Sequence, residues 1–215
     1  MSRSAILDDL RKQIRTMERG TVATALPVHP LLAPAFPDGL RVGSVYSLSG
    51  SLTLATALLA EPSREGAWCG VVGHPDLGIE AVAELGVQLD RLVLVPEPGR
   101  QWFGVVAALV EVLGVVVARP PARVSPTDAT RLAARLRERG TVLVATGPWP
   151  GAAADVQVSG NAWGGVGDGH GLLSGRRIWL DVHARGSRPR QVSVTPPGWT
   201  ELPEEASTTS EAASA

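Results

Sequence analysis

The sequence predicts an α/β domain in which a mostly parallel central sheet is flanked by helices, extended by C-terminal antiparallel strands and preceded by an N-terminal helix. Three observations carry this. Between Leu40 and Thr146 short apolar runs alternate with helical patterns. Beyond Asp155 the pattern changes to a polar/apolar alternation of period two, broken by Gly-rich turns. Ahead of both lies a separate apolar stripe with helical spacing.

A chain of 215 residues can bury one substantial core, because a domain takes roughly 100–200 residues. The expected organisation is an N-terminal helix (1–20), a Pro-rich tether (21–39), the α/β domain (40–195) and an acidic, Ser/Thr-rich disordered tail (196–215). The formal net charge of −1 supplies no overall field to attract nucleic acid, so DNA binding would need a local patch. The basic residues are 19 Arg and a single Lys, Lys12, which leaves the α/β region without any lysine.

The first helix is expected over Ser4–Arg19, with Ser4 as its N-cap and Gly20 as its stop. Leu7, Leu10, Ile14 and Met17 form a narrow stripe for one partner surface, on this chain or on another. Expected buried strands are Ser44–Leu48, Ala67–Gly73, Leu92–Val95, Gly114–Ala118 and Thr141–Thr146. Expected helices between them are Leu52–Ala60, Gly78–Leu85, Gln101–Leu113 and Pro126–Arg139. "ADVQVSGNAW", "LSGRRIWLDVHARG" and "RQVSVTP" read as antiparallel strands that extend the sheet.

Cys69 stands alone in an apolar run, which suits a buried small side chain and excludes an internal disulfide or a thiolate metal cage. The N-terminus is charged where a signal peptide needs an apolar core, and the longest apolar run, Val105–Ala118, is broken by Glu111 and falls short of the ~20 residues that span a bilayer. The expectation is a soluble, cytoplasmic protein with no membrane contact.

The segment "VYSLSGSLTLATALLAEP" places a Ser-Gly-Ser turn between a strand and a helix, where a phosphate-binding loop belongs. Such a loop needs glycines so that backbone N–H groups converge on phosphate, a Lys for charge and a hydroxyl for Mg²⁺. Counted from Gly50, the second Gly, the Lys and the hydroxyl fall on Ala55, Thr56 and Ala57; counted from Gly43, they fall on Leu48, Ser49 and Gly50. Gly50, Ser51 and Thr53 therefore read as a vestigial loop that holds no cofactor, and the strand "GVVVARPP" ends in Ala118 and Arg119 where Mg²⁺ would need a carboxylate.

The cluster His74, Asp76 and Glu80 could be acid–base or metal chemistry, but Asp76 as a helix cap is the favoured reading; His29, His170 and His183 have no ligand spacing. "GGVGDGHG" reads as a hairpin connection. No catalytic residue, cofactor or metal site is expected. Arg131, Arg135, Arg137 and Arg139 read as a solvated helix face, whereas Arg185, Arg188 and Arg190 could meet phosphates or an acidic partner. Trp102 and Trp149 are expected to cover core edges, and Trp199 is expected to have no nearby fold to pack on.

Over roughly Leu40 to Val194 the order "GSVYSLSG…LATALLAEPSREGAWCGVVGHPDLGIEAVAELGVQLDRLVLVPEPG" resembles the RecA recombinase core. With the N-terminal helix, the Pro-rich stretch and "GHG…RRIWLDV", the chain is similar to ImuA-type proteins, RecA-like accessory factors of the damage-induced mutagenesis cassette. That resemblance implies a RecA-like core and a role in translesion DNA synthesis. The implied partners are an ImuB-like relative of the Y-family polymerases and, through it, an error-prone C-family polymerase. The departures from RecA imply that catalysis is lost: Pro75 stands where the resemblance places a catalytic Glu, and the DNA-binding loops correspond to the short "RPPARVSP" and "GPWPGAAAD". DNA binding is then weak or indirect. The expected partner-facing residues are Leu7, Leu10, Ile14, Met17, Arg185, Arg188, Arg190 and Trp199. The competing expectations are a divergent ATPase using Gly50–Thr53 and Asp76, and a direct single-stranded DNA binder acting through the Arg clusters.

Overall fold

Short runs of β-branched and apolar residues build the centre of the molecule, because strands covered on both faces need apolar side chains on both. The computed structural model describes residues 24–165, 171–196 and 199–202. A short two-stranded sheet, β1 (Ala25–Leu26) and β2 (Leu40–Arg41), precedes the main sheet. The main sheet comprises β3 (Val45–Ser49), β4 (Cys69–Val72), β5 (Leu92–Val95), β6 (Val115–Ala118), β7 (Val142–Ala145), β8 (Ala154–Gly164), β9 (Gly175–Ala184) and β10 (Arg190–Val194). Their spatial order is β10-β9-β8-β3-β7-β6-β4-β5. β3 to β8 run parallel, while β9 is antiparallel to both of its neighbours.

The sequence places β3 to β7 within two residues of their observed ends. β8 departs from expectation. It is the partner of β3 in parallel pairing and only its other edge is antiparallel, so the period-two alternation marks a half-exposed strand rather than a change of direction.

Alternate residues of the inner parallel strands feed two cores. Val115, Val117, Val142 and Val144 face one layer with Leu54, Leu58 and Leu59; Val116, Leu143 and Ala145 face the other with Val106, Val110, Leu132 and Leu136. The first layer comes from α1 (Leu52–Ala57), α2 (Ala60–Arg64) and α3 (Ile79–Glu84), the second from α4 (Trp102–Val110) and α5 (Pro126–Arg139). Each fully buried Leu is worth about 1.5–3 kcal/mol of transfer free energy.

α5 shows why local sequence suffices for some elements. Ser125 Oγ accepts the Asp128 N–H at 3.1 Å, Pro126 fills the first turn, and Gly140 closes the helix at φ 70°. The helix expected over Leu52–Ala60 is instead broken into α1 and α2. Pro62 has no N–H to offer the carbonyl of Leu58, and the chain tightens there through Leu58 N–H to Ala55 O and Leu59 N–H to Thr56 O.

Residues 24–39 correct the tether reading. Leu32 is fully buried, Ala35 and Phe36 are nearly so, and all three join the core beneath α1 and α2. His29 Nδ1 accepts the Leu31 N–H at 3.1 Å and starts a short 3-10 turn, Pro30–Leu32. Phe36 meets Tyr46 edge-on at 5.5 Å between ring centroids. The prolines shape a packed strap. The acidic tail is also shorter than expected, because Thr200 bridges Gly175 and Leu202 lies against Gly164 and Gly175.

Leu32→Ala is expected to cost about 2–5 kcal/mol in chemical denaturation, as a buried Leu truncation does. A change below about 0.5 kcal/mol, the range of surface substitutions, would restore the tether reading.

Candidate functional site

In an open parallel sheet, a ligand site belongs outside the carboxyl ends of the strands where successive connections leave in opposite directions. That point lies between β3 and β7. From β3 the chain crosses through α1 and α2 over one face, while from β7 it crosses back past β3 on the other, with Trp149 in the second core.

The connection after β3 is two residues, Gly50 and Ser51. Gly50 has φ 89°, and a Cβ on it would lie 2.9 Å from Val158 Cβ on β8. Ser51 Oγ accepts the Leu54 N–H at 3.3 Å, and the Thr56 hydroxyl donates to the carbonyls of Leu52 and Thr53 at 3.0 and 3.1 Å. Polar groups that a phosphate loop turns toward its ligand are therefore spent within the first turns of α1. At six residues α1 is also too short to present much of a macrodipole.

The neighbouring strand ends are bonded to one another. His74 follows β4 and is 5% exposed. Its Nε2 lies 3.0 Å from Thr146 Oγ1, and Thr146 gives its hydroxyl proton to Ala118 O at 3.4 Å and its N–H to the same carbonyl at 2.9 Å. Which of the two donates across the Nε2–Oγ1 contact depends on the imidazole tautomer. Nδ1 is buried and has no hydrogen-bond partner among the described residues. Burial, with the positive charge of Arg119 as the second cause, lowers the His74 pKa from 6.5 to about 4. Ser47 Oγ donates to Gly147 O at 3.0 Å and ties β3 to the same corner.

The expected cap at Asp76 is corrected: Gly78 is the N-cap of α3 and Asp76 is exposed. Among the described residues no group of three or more His, Cys, Asp or Glu could hold a metal ion. Cys69 is buried, which pushes its thiol up to about 12 and makes it a poor nucleophile.

Leu7, Leu10, Ile14 and Met17 lie outside the described residues. Trp199 contradicts its expectation, since it meets Trp163 edge-on at 5.2 Å, and Arg176 stacks on the other ring of that pair, 4.3 Å from the Trp163 centroid. Arg177 donates to Leu202 O and lies 3.7 Å from Glu201, so the segment after Trp199 is held on the β8–β9 hairpin. Trp102 and Trp149 are both buried and lie 6.0 Å apart, deeper than edge packing requires.

Arg185 and Arg190 come together at the opposite, amino end of the sheet, where they line a groove of about 960 Å³; Arg188 does not line it. Arg41, Arg137 and Asp38 share that groove. Sequence reasoning left Arg137 on a solvated helix face and did not single out Arg41 or Asp38. The Gly43 turn was the available signal. At φ 76°, Gly43 approaches α5 so closely that a Cβ would stand 2.9 Å from Arg137 Cα.

Together these features define a mixed α/β protein whose β3–α1 corner is closed by its own packing. A family model described as MT3502 N-terminal domain matches residues 34–151, and the chain belongs to that family. It is also 37% identical over 122 residues to a protein described as uncharacterized protein Rv3395c of Mycobacterium tuberculosis, covering 56% of this chain and 60% of that relative. The chain thus spans less than two thirds of that relative's length. The matched family region ends before β8, so Arg41 and Arg137 fall inside it and Arg185 and Arg190 outside.

A depressed histidine pKa sets the sign of a pH effect. Between about pH 6.5 and pH 4 the unfolded chain binds a proton at this position that the folded one refuses. Stability is expected to fall as pH drops through that window, by about 1–3 kcal/mol, and His74→Gln flattens the slope. By NMR, His74 is expected to titrate near 4 and to move upward in Arg119→Ala; a midpoint near 6.5 contradicts the buried, Arg119-facing geometry.

Proposed function

We propose that the protein is a non-catalytic RecA-like scaffold in damage-induced mutagenesis, acting by binding a Y-family polymerase-like partner in translesion DNA synthesis. The RecA-like assignment is supported by a central β3 that ends at the topological switch point, with its helix crossing to β4 two strands beyond β7. The loss of catalysis rests on one observation above the others: Gly50 and Ser51 form a two-residue corner packed on Val158, so no backbone cradle for a phosphate remains. Arg119 adds positive charge after β6, where a Mg²⁺ ligand would have to be negative. A fold that keeps its helices and sheet while closing that corner retains surfaces rather than chemistry. The mutagenesis role and the ImuB-like partner come from the ImuA-type resemblance over the same residues. In this reading the partner connects the protein to an error-prone C-family polymerase, and contact with DNA is indirect.

Co-purification with an ImuB-like protein tests the reading. Full-length protein is expected to be retained, and deletion of residues 1–20 to weaken retention at least tenfold, about 1.4 kcal/mol. Absence of retention by the full-length chain overturns the proposal.

A further inference from the structure

A groove lined by arginines lies at the amino end of the sheet. Four arginines, Arg41, Arg137, Arg185 and Arg190, line it together with one carboxylate residue, Asp38. Two of them are held by the backbone: Arg185 donates to Gly151 O at 3.0 Å and Arg190 to Ala35 O at 2.9 Å. Each guanidinium has five N–H donors, so both keep donors for a ligand. Arg41 and Arg137 have no ion pair among the described residues. Elsewhere on the surface, Arg64 and Arg139 are paired with Glu61 and Glu111 at 2.7 and 2.6 Å. The groove's lining thus carries four arginines against a single acidic residue, on a protein whose formal net charge is −1.

We infer that this groove binds an acidic, extended segment of another protein, with Arg41, Arg137, Arg185 and Arg190 pairing its carboxylates. Arginine's planar fork matches a carboxylate with two parallel hydrogen bonds. A single nucleic-acid strand would also want exposed aromatic faces on which bases stack. The three rings that line the groove, Phe36, Tyr46 and Trp149, are each less than a tenth exposed and packed into the cores. The chain's own Glu204 and Glu205 fit less well. Leu202 lies at the Gly175 end of β9, whereas the groove lies at the Ala184 end of that ten-residue strand, about 30 Å away at the rise of a strand. Glu204 and Glu205 follow Leu202 by only two and three residues.

The inference deepens the scaffold reading and rests on it for the existence of a partner, but its test needs no polymerase. Full-length protein is titrated by fluorescence anisotropy, at low and moderate salt, with a short labelled peptide of alternating Glu and Ser. The matching Gln/Ser peptide and a labelled oligo-dT of equal length serve as comparisons. The Glu peptide is expected to bind best and to weaken with salt. Arg41→Glu and Arg137→Glu should each weaken it by about fivefold or more, while Arg131→Glu, on the same helix but outside the groove, should not. Circular dichroism confirms that each variant is folded. Unchanged peptide binding in folded Arg41→Glu and Arg137→Glu overturns the inference. So does tighter binding of oligo-dT, or peptide binding that emerges only after deletion of residues 203–215. A failure here with intact polymerase-partner capture removes the groove and leaves the scaffold reading standing.

Discussion

Gly50 holds the corner between β3 and α1 in a left-handed conformation, and its missing side chain lets the corner rest on Val158 of β8. A side chain there would carry both a backbone penalty and a clash with a neighbour in the sheet. The contact binds the parallel strands to the C-terminal β8–β9–β10 extension at the very place where a nucleotide-binding fold would open. α1 follows immediately, so Leu54, Leu58 and Leu59 drop onto the strands and are fully buried. The same shortness that closes the corner thus seats the first helical layer.

The rest of the carboxyl edge follows the same logic. An empty switch point in a sheet would leave strand-end polar groups facing a cavity. Here His74, Thr146 and the Ala118 carbonyl are bonded to one another, and His74 Nδ1 has no partner among the described residues. An unsatisfied buried ring nitrogen carries a cost, and burial beside Arg119 keeps the imidazole neutral. The edge is polar but its hydrogen bonds are spent internally.

Much of this was legible from residues close together in the chain. The apolar runs placed the five strands from β3 to β7, and α5 was bounded by Ser125, Pro126 and Gly140 because caps act over one turn. Counting from Gly50 showed that the residues of a phosphate-binding motif are missing there. What escaped depended on distant partners. Proline content suggested a tether in residues 21–39, but Leu32 and Phe36 have a core to enter only once α1 and α2 cover the sheet. Trp199 was expected to stand alone because Trp163 lies 36 residues away in sequence and meets it only through the hairpin. Arg137 and Arg185 are 48 residues apart in sequence, and no local pattern joins them; they meet only where the folded chain forms the groove.

The account depends on the β3–α1 corner being a packing element rather than an anion cradle. Backbone amide shifts of Gly50, Ser51 and Thr53, followed by NMR through a titration with Mg-ATP to millimolar concentration, test this directly. The account predicts that they stay where they are in the free protein. Saturable shifts at these three amides, with a midpoint in the micromolar range, would contradict it.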